Sequence, residues 1–467
     1  MIRLLAAALC AFSVGAFARD LPAPVRAALA DAKVPLDAVG VVVEPVDAGA
    51  PVISHRADAP MNPASVMKLV TSYAALDLLG PAFTFHTDVL VTGTLADGIL
   101  DGDVFIRGGG DPKLTYERLW QLMHQLRARG LREIRGDIVI DRSYFAPPEK
   151  EAAPFDAEPR RAYNVGPDAF LVNFQSVQFT FEPSDEAVRV TAEPDLPNLE
   201  ITTRLRAVPG ACGWWRRNLR YEVEQNGMLA LVSFSGTIPA DCAAKTLTLA
   251  VLDPQANAES TLRWTWGEAG GKLRGKVRSA PVPADARPFY SFESEPLATL
   301  VHDMNKFSNN VMARHIYLAL SAQIAGGPGT EAASRQIVLH WLDAKHIDAR
   351  GFVPANGSGL SRDSRISATT LAALLRSIWA SPFMPELAAS LPVFATDGTL
   401  KLRPATAAAG HAHLKGGTLD GVQSIAGYVI DRNGKRWIVV MMANHANANA
   451  AQPALDALVE WVFQAPR

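Results

Sequence analysis

The sequence predicts an α/β protein whose core begins near the N-terminus, breaks off for a long strand-rich stretch and resumes in the second half. Three observations carry this. Residues 37–48 and 52–55 read as a strand pair, with Val41-Val42-Val43 as a buried apolar run and Asp47-Ala48-Gly49 as the turn, and they lead directly into a helix-spaced run after Pro63. From about residue 85 the texture changes to short apolar strands with Gly and Asp turns. Helices return from Ser291, and the chain closes on three strands and a helix.

Each element follows from its own pattern. In the middle stretch, residues 87–95, 104–107 and 137–140 read as strands, and 117–129 as one amphipathic helix. After Gly166 nearly everything reads as strand, at 170–181, 188–192, 229–234 and 246–251. Helices are expected at 294–306, 311–325, 332–345 and 368–381, and strands at 411–418, 422–431 and 436–443. Asn433-Gly434 is a tight-hairpin signal between the last two strands. In the end helix, 454–463, Leu455, Leu458, Val459 and Val462 share one face. Packing on the sheet accounts for that face; peripheral contact with a membrane surface is the lesser reading, because Lys and Arg are missing there.

A chain of 467 residues allows about three domains. With 48% hydrophobic and 20% charged residues it can bury a full core, and a formal net charge of -2 argues against a broad pull towards nucleic acid or anionic lipid. Residues 1–18 read as an export signal: Arg3, an apolar run, then Ala16-Phe17-Ala18 as a small-x-small cleavage site. That run is too short for a permanent membrane anchor, and no later stretch is apolar enough to be one. Cys10 falls inside the signal. Cys212 and Cys242 remain, and an oxidising compartment favours a disulfide between them; nothing has the spacing of a zinc cluster.

The chemistry starts at Asn62-Pro63-Ala64-Ser65-Val66-Met67-Lys68. Pro63 suits a first helical turn, so Ser65 and Lys68 stand one turn apart on the same face. A serine hydroxyl needs a base to become a nucleophile, and a desolvated lysine, or one near a second cation, can be that base. Alone, this tetrad is weak evidence. Two later stretches sharpen it: Ser308-Asn309-Asn310 at the junction of two helical runs, and Lys415-Gly416-Gly417-Thr418, which holds the one lysine followed by glycine two places on. S-x-x-K, S-x-N and K-x-G in that order match the motif set of penicillin-binding proteins and serine β-lactamases.

With the long gap between Lys68 and Ser308, and with Gly108-Gly109-Gly110-Asp111-Pro112, Tyr163-Asn164-Val165-Gly166-Pro167-Asp168, Asn356-Gly357-Ser358-Gly359-Leu360-Ser361 and Asp397-Gly398-Thr399-Leu400, the chain resembles a known family. It is similar to the class C low-molecular-mass penicillin-binding proteins of the penicillin-binding protein 4 type, which are D-Ala-D-Ala carboxypeptidases and endopeptidases of the bacterial envelope. The resemblance covers nearly the whole chain after the signal. It implies the serine β-lactamase/DD-peptidase fold, an antiparallel sheet with helices on both faces, carrying two nested β-rich insertion domains. The expected division is residues 1–18 as signal, 19–85 with 285–467 as catalytic domain, 86–168 with 262–284 as the first insert and 169–261 as the second.

The resemblance implies peptidoglycan stem peptides and crosslinks as substrates, acylation by β-lactam antibiotics, a periplasmic location, no nucleic acid, and no metal or other cofactor. It implies Ser65 as nucleophile, Lys68 as base, Lys415 as second cation and carboxylate anchor, Ser308 as proton relay, and Asn310 as the group orienting Lys68 and the substrate amide. Gly416, Gly417 and Thr418 form the substrate-binding edge, with Ser65 and Thr418 backbone N–H groups as oxyanion hole. By the same resemblance Asp156, in a Pro-bounded loop with Glu158, Arg160 and Arg161, holds the amino group of a diaminopimelate side chain; a solvated loop charge is the competing reading. Gly416 is the departure, since the family carries threonine there. Strand alternation puts Thr418 on the same face, and loss of one charge-assisted hydrogen bond costs roughly 1.5 to 3 kcal/mol. A serine β-lactamase, or a catalytically weakened peptidoglycan-binding protein, are the alternatives.

Several other residues carry plainer expectations. Asp111 reads as a turn residue, Trp214, Trp215, Trp264 and Trp266 as packing rather than a sugar-stacking face, and His340 and His346 as surface or helix-cap groups. His411 and His413 alternate with Lys415 along one strand, a position from which they could tune it.

Overall fold

The computed structural model describes residues 20–47, 49–147, 155–185 and 187–465. The expected export signal, with Cys10, lies outside them, as does Ala48 of the first expected turn.

A five-stranded sheet runs in the order Ala412–Leu419, Val422–Ile430, Arg436–Asn444, Val39–Pro45, Ile53–His55, antiparallel throughout. Side chains alternate between its two faces, and both faces are covered. Val39, Val41, Val43 and Met441 point to one layer, packed by helices Ala23–Asp31 and Gln452–Phe463. Val42, Val440 and Met442 point to the other, packed by Lys68–Leu79, Leu297–Lys306, Asn310–Ile324 and Ala368–Trp379. Burial on both sides is why the Val41-Val42-Val43 run is unbroken by polar residues. Leu455, Leu458, Val459 and Val462 are fully buried against this sheet. The end helix therefore has no apolar face left for a membrane surface, which overturns that lesser reading. Among the described residues no helix is long and apolar enough to cross a membrane.

Three more sheets occupy the chain between Leu79 and Leu297. A five-stranded sheet, in the order Val277–Ser279, Ile138–Asp141, Val104–Gly108, His86–Val91, Arg287–Glu293, and a four-stranded one share a core with helices Tyr116–Ala128 and Pro254–Glu268. A six-stranded sheet, spanning Val177–Ser184 to Lys245–Leu249, has its own core around Phe179, Phe181 and Phe234. There Cys212 and Cys242 are joined by a disulfide.

Helix Pro254–Glu268, capped by Asp253 Oδ1 on the Ala256 N–H at 2.8 Å, runs across the expected edge at 261–262. Arg287–Glu293 lies beyond the expected edge at 284–285, yet pairs with His86–Val91. The strand expected over 170–181 begins only at Val177. Asn173, Phe174 and Gln175 all have φ near +50°, so they turn the chain instead of extending it, and Asn173 and Gln175 spend their side-chain amides on the Ser176 and Leu252 carbonyls.

Candidate active site

Ser65 sits in a short 3-10 turn, Ala64–Met67, that hands over to the α-helix Lys68–Leu79. Three residues per turn stack positions i and i+3 directly, closer than an α-turn does. Lys68 Nζ accordingly lies 3.1 Å from Ser65 Oγ. The turn is held from outside. Asn62 Oδ1 accepts the Ala64 N–H at 2.9 Å, Asn62 Nδ2 donates to the Ser361 carbonyl at 2.9 Å, and Ser424 Oγ donates to the Pro63 carbonyl at 2.6 Å. Ala64 is driven to φ +46°, a strained conformation for a residue with a Cβ. Two glycines make room for it. A Cβ on Gly359 would stand 1.8 Å from the Ala64 carbonyl oxygen, and one on Gly417 would stand 2.9 Å from the Ser65 nitrogen.

Lys68 is fully buried. Its Nζ lies 2.7 Å from Asn310 Oδ1 and 2.7 Å from the Ser358 carbonyl oxygen. Asn310 Nδ2 donates to the Tyr163 carbonyl at 3.2 Å, which fixes the amide so that its oxygen faces the lysine. Burial, and after it the charge of Lys415, hold the Lys68 amine well below its usual range. Lys415 is also fully buried, and burial lowers it to about 7. Lys415 Nζ donates to Ser308 Oγ at 2.9 Å and to the Gly416 carbonyl at 2.8 Å.

Ser308 has φ +57° at the break between helices Leu297–Lys306 and Asn310–Ile324. Asn309 caps the second helix through the Met312 N–H at 3.1 Å, and Asn310, its first residue, looks towards Lys68. Just before the break, the buried Lys306 ammonium donates to the Leu391 carbonyl at 2.7 Å and to Asp397 Oδ2 at 2.9 Å. Asp397 Oδ1 accepts the Val393 N–H at 2.7 Å, and Val393 bridges His413 on the Lys415 strand. The Asp397-Gly398-Thr399-Leu400 segment thus ties the Ser308 junction to that strand.

Gly416 lies opposite Ile425 on the edge strand, and a Cβ there would meet only Leu400 Cδ2, at 3.4 Å. The exposed Thr418 hydroxyl donates to Gln423 Oε1 at 3.2 Å. Asp156 accepts from the Tyr163 hydroxyl at 2.7 Å, Asn164 Nδ2 at 2.8 Å and the Glu158 N–H at 3.0 Å. Burial raises its carboxyl, but these hydrogen bonds and Arg161 outweigh that and keep it below the usual carboxylate range. Its neighbour Phe155 packs with Ala64, Leu360, Leu419 and Val422 beneath the Arg362 guanidinium. The Asp156 loop therefore borders the Ser65 turn.

Asp111 is a turn residue, accepting the Lys113 N–H at 2.8 Å. His413 Nδ1 lies 3.1 Å from the Ala388 carbonyl, and the His411 ring packs on Phe463, so neither histidine bonds to Lys415, and the tuning role is overturned. Trp266 is buried and Trp215 packs on Phe181, whereas Trp214 is 91% exposed.

A match to the D-Ala-D-Ala carboxypeptidase 3 (S13) family extends over residues 21–465. The chain belongs to that family. It is accordingly a serine-type D-Ala-D-Ala peptidase, a hydrolase, with the peptidase reading favoured over a β-lactamase. Among its S13 relatives, the D-alanyl-D-alanine carboxypeptidase of Actinomadura sp. (strain R39) is 29% identical over 451 residues, 92% of this chain and 82% of that protein. DacB of Haemophilus influenzae, also a D-alanyl-D-alanine carboxypeptidase, is 24% identical over 87% of this chain and 85% of its own. The crystal structure of H. influenzae penicillin binding protein 4 (dacB) superposes with a TM-score of 0.76 at 22% identity, covering 93% of this chain and 99% of that one. The penicillin G-acylated Bd3459 endopeptidase of Bdellovibrio bacteriovorus reaches 0.52 at 16% identity, covering 91% and 92%. These likenesses carry the fold: the DD-peptidase-like sheet with helices on both faces is present in this S13 chain.

Sequence reasoning missed several groups of this S13 site: Asn62, the Ser358 carbonyl, Ser424, Lys306 and Asp397. It also missed His315, fully buried between two of the family-marked segments. His315 Nδ1 donates to the Gly110 carbonyl at 3.0 Å while Nε2 accepts the Asp168 N–H at 3.3 Å, and burial lowers it to about 4, which keeps it neutral. Ser358 and Asp397 lie beside glycines in segments that the sequence marks, whereas nothing local marks Asn62, Lys306 or His315.

Proposed function

We propose that Ser65 is acylated by the penultimate D-Ala carbonyl of peptidoglycan stem peptides, with Lys68 as general base, and that water then hydrolyses the ester. The observation that carries this is the set of contacts around Lys68. A neutral amine has two N–H bonds and one lone pair. The Asn310 amide oxygen and the Ser358 carbonyl are acceptors only, so the two 2.7 Å contacts take up both N–H bonds. The lone pair is then left for the Ser65 hydroxyl proton at 3.1 Å. Burial together with the charge on Lys415 favours this neutral form.

Lys415 receives the substrate's terminal carboxylate, and Ser308, 2.9 Å from Lys415 Nζ, relays to the leaving D-alanine amine the proton that Lys68 took from Ser65, which restores both lysines to their starting forms. Asn310 holds the base and the substrate amide. The Ser65 and Thr418 N–H groups form the oxyanion hole, worth about 3 kcal/mol per donor. The close approach that Gly417 permits between the strand and Ser65 supports that assignment. Asp156 receives the ammonium of a diaminopimelate side chain. The nested division into a catalytic domain and two inserts, export to the periplasm, and β-lactams as acylating agents belong to the same reading; Cys212–Cys242 is consistent with an oxidising compartment.

The test is intact-mass spectrometry after exposure to labelled penicillin, with D-alanine release followed in parallel. A persistent adduct on Ser65, absent from Ser65→Ala, supports a DD-peptidase. Rapid adduct loss with drug hydrolysis would point to a β-lactamase, and no adduct to a binding protein.

A further inference from the structure

We propose that Tyr221 and Glu158 are positioning residues for the catalytic base: their hydrogen bond holds the 155–165 loop against the six-stranded sheet and so fixes the Tyr163 carbonyl that turns Asn310 towards Lys68. The proposal rests on the acyl-serine reading above and extends it to a contact made outside the catalytic sheet.

The loop is gripped from two sides. On the inner side Phe155 packs against Ala64, Leu419 and Val422 beside the Ser65 turn, and the Tyr163 carbonyl accepts from Asn310 Nδ2 at 3.2 Å. On the outer side the contacts come from the six-stranded sheet. Tyr221 Oη donates to Glu158 Oε2 at 2.6 Å, the Ala250 N–H donates to the Arg160 carbonyl at 2.7 Å, and Arg161 bridges Leu249.

Tyr221 lies on strand Leu219–Asn226 and Leu249 on strand Lys245–Leu249, which stand at opposite ends of the strand order. An edge strand presents backbone groups that need cover. Gln225 reaches Asp253 with both ends of its amide, Nε2 to Oδ2 at 2.6 Å and Oε1 to the N–H at 2.9 Å, so the sheet curls until its edges stand one side chain apart. The cleft loop touches both edges at that seam.

The path from Glu158 to the base is short. The Glu158 carbonyl accepts the Arg161 N–H and Asn164 Nδ2, each at 3.0 Å, and the Asn164 N–H donates to the Arg161 carbonyl at 2.9 Å. Asn164 is the neighbour of Tyr163, so a shift of Glu158 moves the Tyr163 carbonyl. Without that acceptor the Asn310 amide is free to turn. Its NH2 group would then face Lys68 and, being a donor, would take the lone pair that the Ser65 proton needs.

Tyr221 is itself well placed to act as an anchor. It pairs with Phe234, whose ring packs edge-on with Phe179 and Phe181, so the strand ladder and that core set its position. Burial, and after it the bond to Glu158, raise its hydroxyl to about 12, which keeps it a donor at neutral pH.

The test uses the full chain and stopped-flow acylation by benzylpenicillin, which lacks the side chains of a stem peptide and reads the nucleophile and its base. Tyr221→Phe should lower the limiting acylation rate about fivefold, the scale of one hydrogen bond near the surface, with the half-saturating penicillin concentration unchanged. Glu158→Ala should do the same from the loop side, and Glu158→Gln, whose amide oxygen still accepts, should stay within about twofold of the parent. In Asn310→Ala, which has no amide to orient, adding Tyr221→Phe should change the rate by less than about twofold. Parent-like acylation in Tyr221→Phe, or the same loss persisting in the Asn310→Ala background, overturns the positioning role and leaves an ordinary domain contact. If Tyr221→Phe disturbs the sheet, Glu158→Ala, which leaves the sheet's own residues in place, decides alone. Failure of penicillin to acylate the parent would strike the acyl-serine reading, and this proposal with it.

Discussion

Restoring threonine at position 416 tests whether the departure from the family pattern limits this enzyme. The backbone of Gly416 lies outside the left-handed region, so any side chain is allowed, and a new Cβ meets only the end of Leu400 at 3.4 Å, an ordinary contact with a flexible group. The new hydroxyl stands next to Lys415, on the face where Thr418 already presents one. That existing hydroxyl is engaged with Gln423 Oε1 at 3.2 Å, and turning it to a substrate carboxylate gives up that bond. A charge-assisted hydrogen bond is worth roughly 1.5 to 3 kcal/mol, and at about 1.4 kcal/mol per decade Gly416→Thr should raise kcat/KM about tenfold to hundredfold. The lower end is expected, because Thr418 supplies part of the interaction. D-alanine release from a D-Ala-D-Ala-terminated peptide measures it. The melting temperature serves as a folding control, which should rise because glycine in a strand interior costs roughly 0.5 to 1 kcal/mol. A folded variant with kcat/KM within twofold of the parent would refute the reasoning and show that Thr418 suffices.

Three further outcomes follow from the same geometry. Lys68→Met removes the only base within reach of Ser65 Oγ among the described residues; acylation by penicillin should slow by about 10²- to 10⁴-fold, read by stopped-flow, with secondary structure unchanged. Lys415 titrates near 7 in the folded chain against 10.5 when unfolded, so between these values the unfolded state holds more protons and stability rises with pH. Chemical denaturation from pH 7 to 10 should show that rise in the parent and a smaller one in Lys415→Met; equal slopes would refute it. Replacing Cys212 and Cys242 by serine opens a loop closed across a sequence separation of 30, at a cost of about 3 to 4 kcal/mol by chain entropy. Loss of protection in hydrogen exchange should be confined to the six-stranded sheet, and the penicillin acylation rate should be unchanged.

The parts of this site that the sequence displays are those whose chemistry is a residue type at a fixed spacing. Ser65 and Lys68 are legible because three residues make one turn in a 3-10 helix and nearly one in an α-helix, so either geometry pairs them. Lys415, Ser308 and Asn310 are legible as types, although nothing local says that the first two come within 2.9 Å. His411 and His413 show the opposite failure: strand alternation puts them on the right face, but the sheet edge carries them to Phe463 and Ala388. The turn at residues 173–175 escaped because Phe170 to Phe181 reads as strand by composition, and it is set by contacts with Ser176 and Leu252.

Least visible is the Ser358 carbonyl, since every residue has one and no side chain marks it. Yet the arrangement of Lys68 depends on that oxygen: without a second acceptor, one amine N–H would be left to compete for Ser65 Oγ and the lone pair would lose its direction. What marks the place is the next residue. Gly359 has φ +79°, and any Cβ there would stand 1.8 Å from the Ala64 carbonyl oxygen, so the segment that delivers the Ser358 oxygen can approach the nucleophile's turn only with glycine at that point. The glycine pattern Asn356-Gly357-Ser358-Gly359 is thus the readable trace of a backbone contact that is itself unreadable, and Gly417 plays the same part on the opposite side of Ser65. Substituting alanine at either position should therefore cost acylation as surely as removing Lys68, although neither glycine has a functional group to lose.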